Sequence, residues 1–245
     1  MRFSGKLRSL FVFFMFASLT LCFSTADAMM IGVRGDSSDS DVVWMDETGG
    51  FPYGGTIGNA DFAELESLAV DNYGNYYSVG GNALITIDPT TGAGTQVATL
   101  DFGTVTPNVR GLAFSSTGEL YAINSAPGEH EWDIRGADSL YSIDMSTGLG
   151  SYLGDTSFDI VEGLTFSPRG ELYAWDHEFG LLTVDVSTGA ATDVNDTDNQ
   201  LPENDRYWAI STLTFGLDGT LYGGGTGIST IDLTDGSIVD AIGGY

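Results

Sequence analysis

Short apolar runs that alternate with polar residues recur along the chain at regular intervals. Four segments share an apolar strand, a turn with glycine and a second strand: LESLAVDNYGNYYSV (65–79), VRGLAFSSTGELYAI (109–123), VEGLTFSPRGELYAW (161–175) and ISTLTFGLDGTLYGG (210–224). The equivalent leucines Leu68, Leu112, Leu164 and Leu213 are spaced by 44, 52 and 49 residues. We expect these leucines in the core, and a positive φ at the turn glycines 74, 118, 170 and 219.

A second pattern follows each of these segments. LITIDPTTG, LYSIDMSTG, LLTVDVSTG and ISTIDLTDG each alternate apolar and other residues, then place an aspartate four positions before a glycine, and VVWMDETGG (42–50) is a fifth copy. An aspartate suits the hydrogen bonds of a turn, and glycine suits its end. The recurrence favours a structural role over a catalytic one for Asp46, Asp88, Asp144, Asp185 and Asp232.

The two patterns together predict an all-β fold. Each repeat contains four short strands in 44–52 residues, which is typical of a β-propeller blade. The segment before the first repeat contains only three (IGVRG, VVWMD, GGTIG). We therefore predict one domain over 29–245, a β-propeller of about five four-stranded blades whose first blade is three-stranded. The first and last blades are expected to pack side by side.

The segments GLTFSPRGELYA and LYSIDMSTG resemble the secreted bacterial propellers related to the NHL, YVTN and quinoprotein amine dehydrogenase β-chain groups. The resemblance covers nearly all of residues 29–245. It implies the propeller fold and leaves the function open, because these propellers include hydrolases, cofactor enzymes and plain binding modules.

The first 28 residues have the features of an export signal. Arg2, Lys6 and Arg8 precede an apolar stretch at 10–22, and Ala26-Asp27-Ala28 is a small-x-small cleavage site. We expect cleavage after Ala28, no contact between residues 1–28 and the domain, a secreted or periplasmic location, and no integral membrane segment after cleavage. A lipid anchor on Cys22 is the alternative.

Charge narrows the choice of partners. The formal charge of the chain is −26, and removal of residues 1–28 leaves five arginines against 33 carboxylates, a charge of about −28. Such a surface repels phosphate, which excludes nucleic acid and anionic lipid as expected partners. This negative charge has two interpretations: it keeps the protein soluble in a salty medium, or it attracts cations.

The carboxylates concentrate in one set of predicted loops. In a propeller, loops alternate between two faces, and the long, irregular ones here contain nineteen acidic residues and two arginines. We name this side the acidic loop face; its loops are 35–41, 59–65, 80–83, 101–109, 124–138, 154–161, 176–180 and 193–210. Irregular loops on a rigid scaffold often carry binding sites.

Three groups of candidate site residues belong to this face. His130 and His177 lie in matching loops of adjacent repeats and are each followed by glutamate, so they are ligand-binding candidates and, with nearby carboxylates, a possible transition-metal site; polar loop residues are the alternative. The run DVNDTDNQLPEND (193–205) offers the oxygen ligands that Ca²⁺ prefers, with a solvated acidic loop as the alternative. Its candidate ligands are Asp193, Asn195, Asp196 and Asp198.

The third group lies at the channel mouth, the end of the propeller axis where the innermost strands begin. Two residues before each core leucine the repeats hold Glu66, Arg110, Glu162 and Ser211. This ring of polar side chains could bind a small ligand or an ion, or it could be an ordinary polar plug of the axis.

These features support an exported binding or interaction module that acts through its acidic loop face on an unidentified ligand or protein, with Ca²⁺ as the candidate cofactor. The alternative is a metal-assisted hydrolase or lyase that acts on sugars or lactones at the channel mouth. A structural envelope or matrix protein is a third hypothesis. The chain after residue 28 has no cysteine, no lysine and no G-x-S-x-G motif, so it lacks those nucleophile signatures.

Overall fold

The repeats form five antiparallel sheets. The computed structural model describes residues 22–23, 30–34, 39–45, 55–125, 136–194, 210–225 and 228–242. Twenty strands account for all the regular secondary structure in this described part, and no helix long and apolar enough to cross a membrane occurs there.

Each blade is a four-stranded sheet whose strands are ordered as in the chain, the first being innermost. The first blade contains β1 (Cys22–Phe23), β2 (Met30–Arg34), β3 (Asp41–Met45) and β4 (Gly55–Asn59). The second contains β5 (Leu65–Val70), β6 (Tyr76–Gly80), β7 (Ala83–Ile87) and β8 (Gly94–Thr99). The third contains β9 (Val109–Phe114), β10 (Leu120–Asn124), β11 (Ser139–Ile143) and β12 (Gly150–Asp155). The fourth contains β13 (Val161–Phe166), β14 (Leu172–Asp176), β15 (Gly180–Val184) and β16 (Ala191–Asp193). The fifth contains β17 (Thr212–Phe215), β18 (Leu221–Gly224), β19 (Ile228–Ile231) and β20 (Ile238–Ile242).

The first blade has the three predicted strands, β2 to β4, and one unexpected addition. The two-residue strand β1 lies within the expected export signal, yet it pairs with β2 through Cys22↔Ile31 and Phe23↔Met30. The expectation that residues 1–28 make no contact with the domain is therefore wrong for this pair of residues in the uncleaved chain. The physical reason is that the inner edge of β2 offers backbone hydrogen-bonding groups that an extended segment can satisfy.

The predicted register of the repeats is confirmed. Leu68, Leu112, Leu164 and Leu213 lie at equivalent positions of the inner strands β5, β9, β13 and β17, and all four are buried. The turn glycines 74, 118, 170 and 219 all have positive φ, between 83° and 89°. Apolar side chains fill the spaces between adjacent blades and form the core.

The recurrent aspartates hold turns, as the repeat predicted. Asp185 accepts hydrogen bonds from the Ser187 amide (2.8 Å) and hydroxyl (2.7 Å), and Asp88, Asp144 and Asp232 make the same pair of contacts in their blades. The hydroxyl contact, helped by the amide, lowers the pKa of each of these carboxyls. Asp46 lies outside the described residues.

The first and last blades pack side by side. Ile228 of β19 and Tyr222 of β18 pack into the same apolar cluster as Ile31 and Val33 of β2. Side-chain packing therefore joins the first and last blades, as predicted.

Truncation of an inner-strand leucine tests this register. Leu164→Ala should lower the free energy of unfolding by about 2–5 kcal/mol, because Leu164 is buried between the third and fourth blades and its loss leaves a cavity. Urea unfolding measures the difference. Leu217→Ala is the matched control, because Leu217 is 68% exposed in a turn and should change stability by less than about 0.5 kcal/mol. A loss below about 1 kcal/mol for Leu164→Ala would contradict the register.

Candidate functional site

The inner strands of three blades carry a β-bulge beside the channel-mouth position. Opposite the adjacent strand, one extra residue occurs between Leu65 and Leu68 in β5, between Val109 and Gly111 in β9, and between Glu162 and Leu164 in β13. A bulge bends its strand and changes the direction of a side chain. Each of the three bulges contains or adjoins a charged residue: Glu66, Arg110 or Glu162.

These three charged side chains form a row that crosses three blades. Arg110 Nε lies 3.4 Å from Glu66 Oε2, and Arg110 Nη1 lies 3.4 Å from Glu162 Oε1. The side chains are 12–25% exposed, so solvent reaches them although most of their surface is covered. The guanidinium thus bridges the carboxylates of both neighbouring blades.

His177 extends the row. Its Nε2 lies 3.1 Å from Glu162 Oε2, so the two oxygens of Glu162 contact Arg110 and His177 separately. The imidazole is only 14% exposed, and the His177 amide donates to the carbonyl of Ile160. His177 lies in the turn between β14 and β15, as the sequence predicted, but its contact with Glu162 was not predicted. We name Glu66, Arg110, Glu162 and His177 the channel-mouth row.

Asp176 fixes this short loop. It is fully buried at the end of β14, and its Oδ1 accepts hydrogen bonds from the amides of Glu178 and Phe179, both 2.8 Å. Its Oδ2 is buried and makes no hydrogen bond of normal geometry within the described part of the chain. Asp176 therefore uses the same kind of turn contact as the repeated aspartates, which is the sequence signal that could have identified its role.

Burial and charge change the protonation of this region. Burial raises the pKa of Asp176 to about 6, and the amides of Phe179 and Glu178 and the charge of His177 only partly oppose it. Burial also lowers the pKa of His177, but the Glu162 carboxylate and Asp176 more than offset this and leave it above its ordinary value. Asp176 thus changes charge near pH 6, and the charged form of His177 is favoured by its two carboxylate neighbours.

The remaining candidates are placed as follows. Ser211 occupies the same position at the start of the inner strand of the last blade, and its amide donates to the Gly224 carbonyl; within the described residues its hydroxyl makes no hydrogen bond to the row. Asp193 ends β16, on the outer edge of the fourth blade and away from the row. His130, Asn195, Asp196 and Asp198 lie outside the described residues.

The channel-mouth row does not fit a calcium ion. Ca²⁺ needs six to eight oxygen ligands, whereas Glu66 and Glu162 already share the Arg110 guanidinium between them. No group of three or more histidine, cysteine, aspartate or glutamate side chains with metal-binding geometry occurs among the described residues. The row instead alternates negative and positive groups, which suits a ligand that carries both donors and acceptors.

Comparisons with known proteins support the fold. No protein-family model and no curated protein matches the chain. A gluconolactonase from Xanthomonas campestris aligns with a TM-score of 0.58 at 15% identity, over 91% of this chain and 74% of its own. A chain of the nidogen–laminin complex gives 0.59 at 17% identity, over 91% and 78%. The calcium-binding protein regucalcin from Agrobacterium tumefaciens gives 0.53 at 16% identity, over 94% and 75%.

At these identities the likeness concerns the fold alone. These structural neighbours confirm the predicted resemblance at the level of architecture. This chain is a five-bladed β-propeller.

The unusual ionisation of Asp176 predicts how stability depends on pH. The folded-state pKa of about 6 lies above the unfolded value of 3.8, so ionisation in the fold costs free energy that grows from about pH 4 and is complete above about pH 6. Asp176→Asn keeps an oxygen acceptor for both amides and removes the charge. It should match the wild type near pH 4 and be more stable at pH 8, by on the order of 3 kcal/mol.

Urea unfolding between pH 4 and pH 8 measures this effect. Asp185→Asn is the control. The pKa of Asp185 is lowered in the fold, so its ionised carboxylate stabilises the folded protein above the unfolded pKa. Relative to the wild type, Asp185→Asn should therefore become less stable, not more stable, as pH rises. If Asp176→Asn is no more stable than the wild type at pH 8, the burial of this carboxylate does not have the assigned cost.

Proposed function

We propose that this protein is an exported binding module that holds a small polar ligand at its channel mouth. The observation that carries the proposal is the channel-mouth row. Its side chains come from three blades, each contacts the next, and negative and positive groups alternate along it. The acidic loop face would surround this site, and His130 and Ser211 remain candidates for further contacts.

A ligand-binding role accounts for features that a structural plug leaves unexplained. Apolar side chains of similar volume can fill a protein interior at equal or lower free-energy cost than ion pairs, so stability alone does not require a charged row. A partly exposed group with a perturbed pKa is typical of a functional site, and His177 is such a group.

The geometry of the ion pairs leaves them open to exchange. Charge-assisted hydrogen bonds between nitrogen and oxygen are usually about 2.7–2.9 Å long, whereas both Arg110 contacts are 3.4 Å. A ligand carboxylate can therefore contact Arg110 and His177 while a ligand ammonium contacts Glu66 or Glu162. We infer that the preferred ligand is a small zwitterion, such as an amino acid.

The hydrolase or lyase alternative has less support. A gluconolactonase and a calcium-binding protein are among the structural neighbours, but at 15% and 16% identity they contribute only the fold. The cation that lies between the two channel-mouth glutamates here is the side chain of Arg110. Calcium binding by the Asp193–Asp198 run, export to the periplasm or medium, and the exclusion of nucleic acid remain predictions from the sequence.

Thermal shift with a panel of small molecules tests the proposal. The panel contains the common amino acids, with acetate and methylamine as probes that carry a single charge. At a hundred times its dissociation constant, a bound amino acid should raise Tm by roughly 5–10 °C, because ligands that bind only the folded state stabilise it by mass action. Acetate and methylamine should give much smaller shifts at equal concentration.

Arg110→Met should abolish the shift while the variant still unfolds cooperatively. Arg169→Met is the matched control, because Arg169 is exposed in the Ser167–Gly170 turn and should keep the full shift. A shift that survives in Arg110→Met, or a wild type that no amino acid stabilises, would contradict the proposal.

A further inference from the structure

A second recess lies between the second and third blades, and no residue of the channel-mouth row is among the described residues that line it. It has a volume of about 500 Å³ and is bounded by the outer strands β11 and β12 on one side and by the connection that follows β8 on the other. Ten described residues line it, among them Phe102, Thr104, Ser139, Tyr141, Tyr152 and Asp155. We name it the aromatic groove.

The floor of the groove is a stack of aromatic rings. Phe102 and Tyr141 are both buried and lie almost parallel, with ring centroids 4.4 Å apart and an interplanar angle of 8°. Tyr152 meets Tyr141 edge to face, with centroids 5.6 Å apart, and is itself 55% exposed. The structure therefore holds one tyrosine ring on a rigid base and presents it to solvent.

The rim beside this ring carries hydrogen-bonding groups. Asp155 Oδ1 accepts hydrogen bonds from the Tyr152 hydroxyl and from Ser139 Oγ, both 2.8 Å. Oδ2 of the same carboxylate accepts no hydrogen bond from the described residues, and the Thr104 hydroxyl lies on the opposite wall. One acceptor oxygen is thus fixed in position and ready for a ligand.

The opposite wall is also fixed. The Asp101 amide donates to the Gly148 carbonyl and the Gly150 amide donates to the Asp101 carbonyl, both 2.9 Å, so the connection is tied to the start of β12. Asp101 Oδ1 accepts the Gly103 amide at 2.8 Å, and the ring of Phe102 lies directly on Gly150, where a side chain would clash. A ligand would therefore meet a groove that is already formed, which reduces the entropy cost of binding.

The chemistry of the lining selects the ligand class. Among the described residues that line it there is no lysine, arginine or histidine, which disfavours an anion. A phenolic hydroxyl lies in the plane of its ring, so the Asp155 carboxylate that accepts from it stands at the ring edge and not over the ring face. A flat ligand with an apolar face and hydroxyls around its edge can contact both the ring face and this carboxylate.

We propose that the aromatic groove binds a neutral sugar ring. The apolar face of the sugar packs on Tyr152, one of its hydroxyls donates to Asp155 Oδ2, and others lie within the walls that Ser139 and Thr104 form. The site is separate from the channel-mouth row, and its occupation does not depend on the zwitterion proposed there.

Calorimetric titration with neutral hexasaccharides tests this site. The probes are cellohexaose, chitohexaose, mannohexaose and xylohexaose, each measured at 0.15 M and 1 M NaCl, with tetramethylammonium chloride as the cationic comparison. At least one hexasaccharide should bind with equal affinity at both salt concentrations, because a neutral ligand has no charge for salt to screen. Tyr152→Ala should weaken that affinity about tenfold or more, since it removes the aromatic platform.

Two controls keep the assignment specific. Tyr73→Ala should leave the affinity unchanged, because Tyr73 is 91% exposed in the turn between β5 and β6, and Arg169→Met should also leave it unchanged, because Arg169 is exposed in the turn between β13 and β14. The proposal is overturned if no hexasaccharide binds, if either control weakens binding as much as Tyr152→Ala, or if only tetramethylammonium binds and 1 M NaCl abolishes it.

Discussion

The close approach of the inner strands around the propeller axis is the constraint on which the rest of this structure depends. A Cβ atom on Gly111 would lie 2.9 Å from the Cβ of Leu164, and one on Gly163 would lie 2.7 Å from the Cα of Thr212. Only glycine fits at such contacts, and Gly163 also has a φ of +54°, which a residue with a side chain rarely adopts. The crowding lets the adjacent leucines fill the spaces between blades.

The same crowding produces the site. Strands that converge on an axis have little room for side chains there, and the bulges at the start of β5, β9 and β13 accommodate one charged residue from each. Opposite charges on adjacent blades then pair with each other, and the turn fixed by Asp176 brings His177 to Glu162. This placement costs free energy, because the Asp176 carboxylate is buried and its Oδ2 accepts no hydrogen bond from the described residues.

The repeat made most of the architecture predictable. Equivalent positions must share backbone geometry, so one alignment located the core leucines, the positive-φ turn glycines, the turn aspartates and the positions of Glu66, Arg110 and Glu162. The sequence did not predict that His177 joins Glu162, because that contact depends on how sharply one loop turns. It also gave no sign that β1 pairs with β2, or that Phe102 stacks on Tyr141, because contacts between elements far apart in the chain arise from packing and leave no periodic pattern.

The titration of the His177 imidazole tests the coupling of the channel-mouth row most directly. The chain has two histidines, so nitrogen-15 NMR of the imidazoles resolves His177 once His130→Gln has assigned the other signal. The account predicts a pKa above the ordinary histidine value in the wild type, a lower one in Glu162→Gln, and a higher one in Arg110→Met, because Glu162 raises and Arg110 lowers it. An ordinary pKa in the wild type that neither substitution changes would show that the row does not exist as a coupled unit.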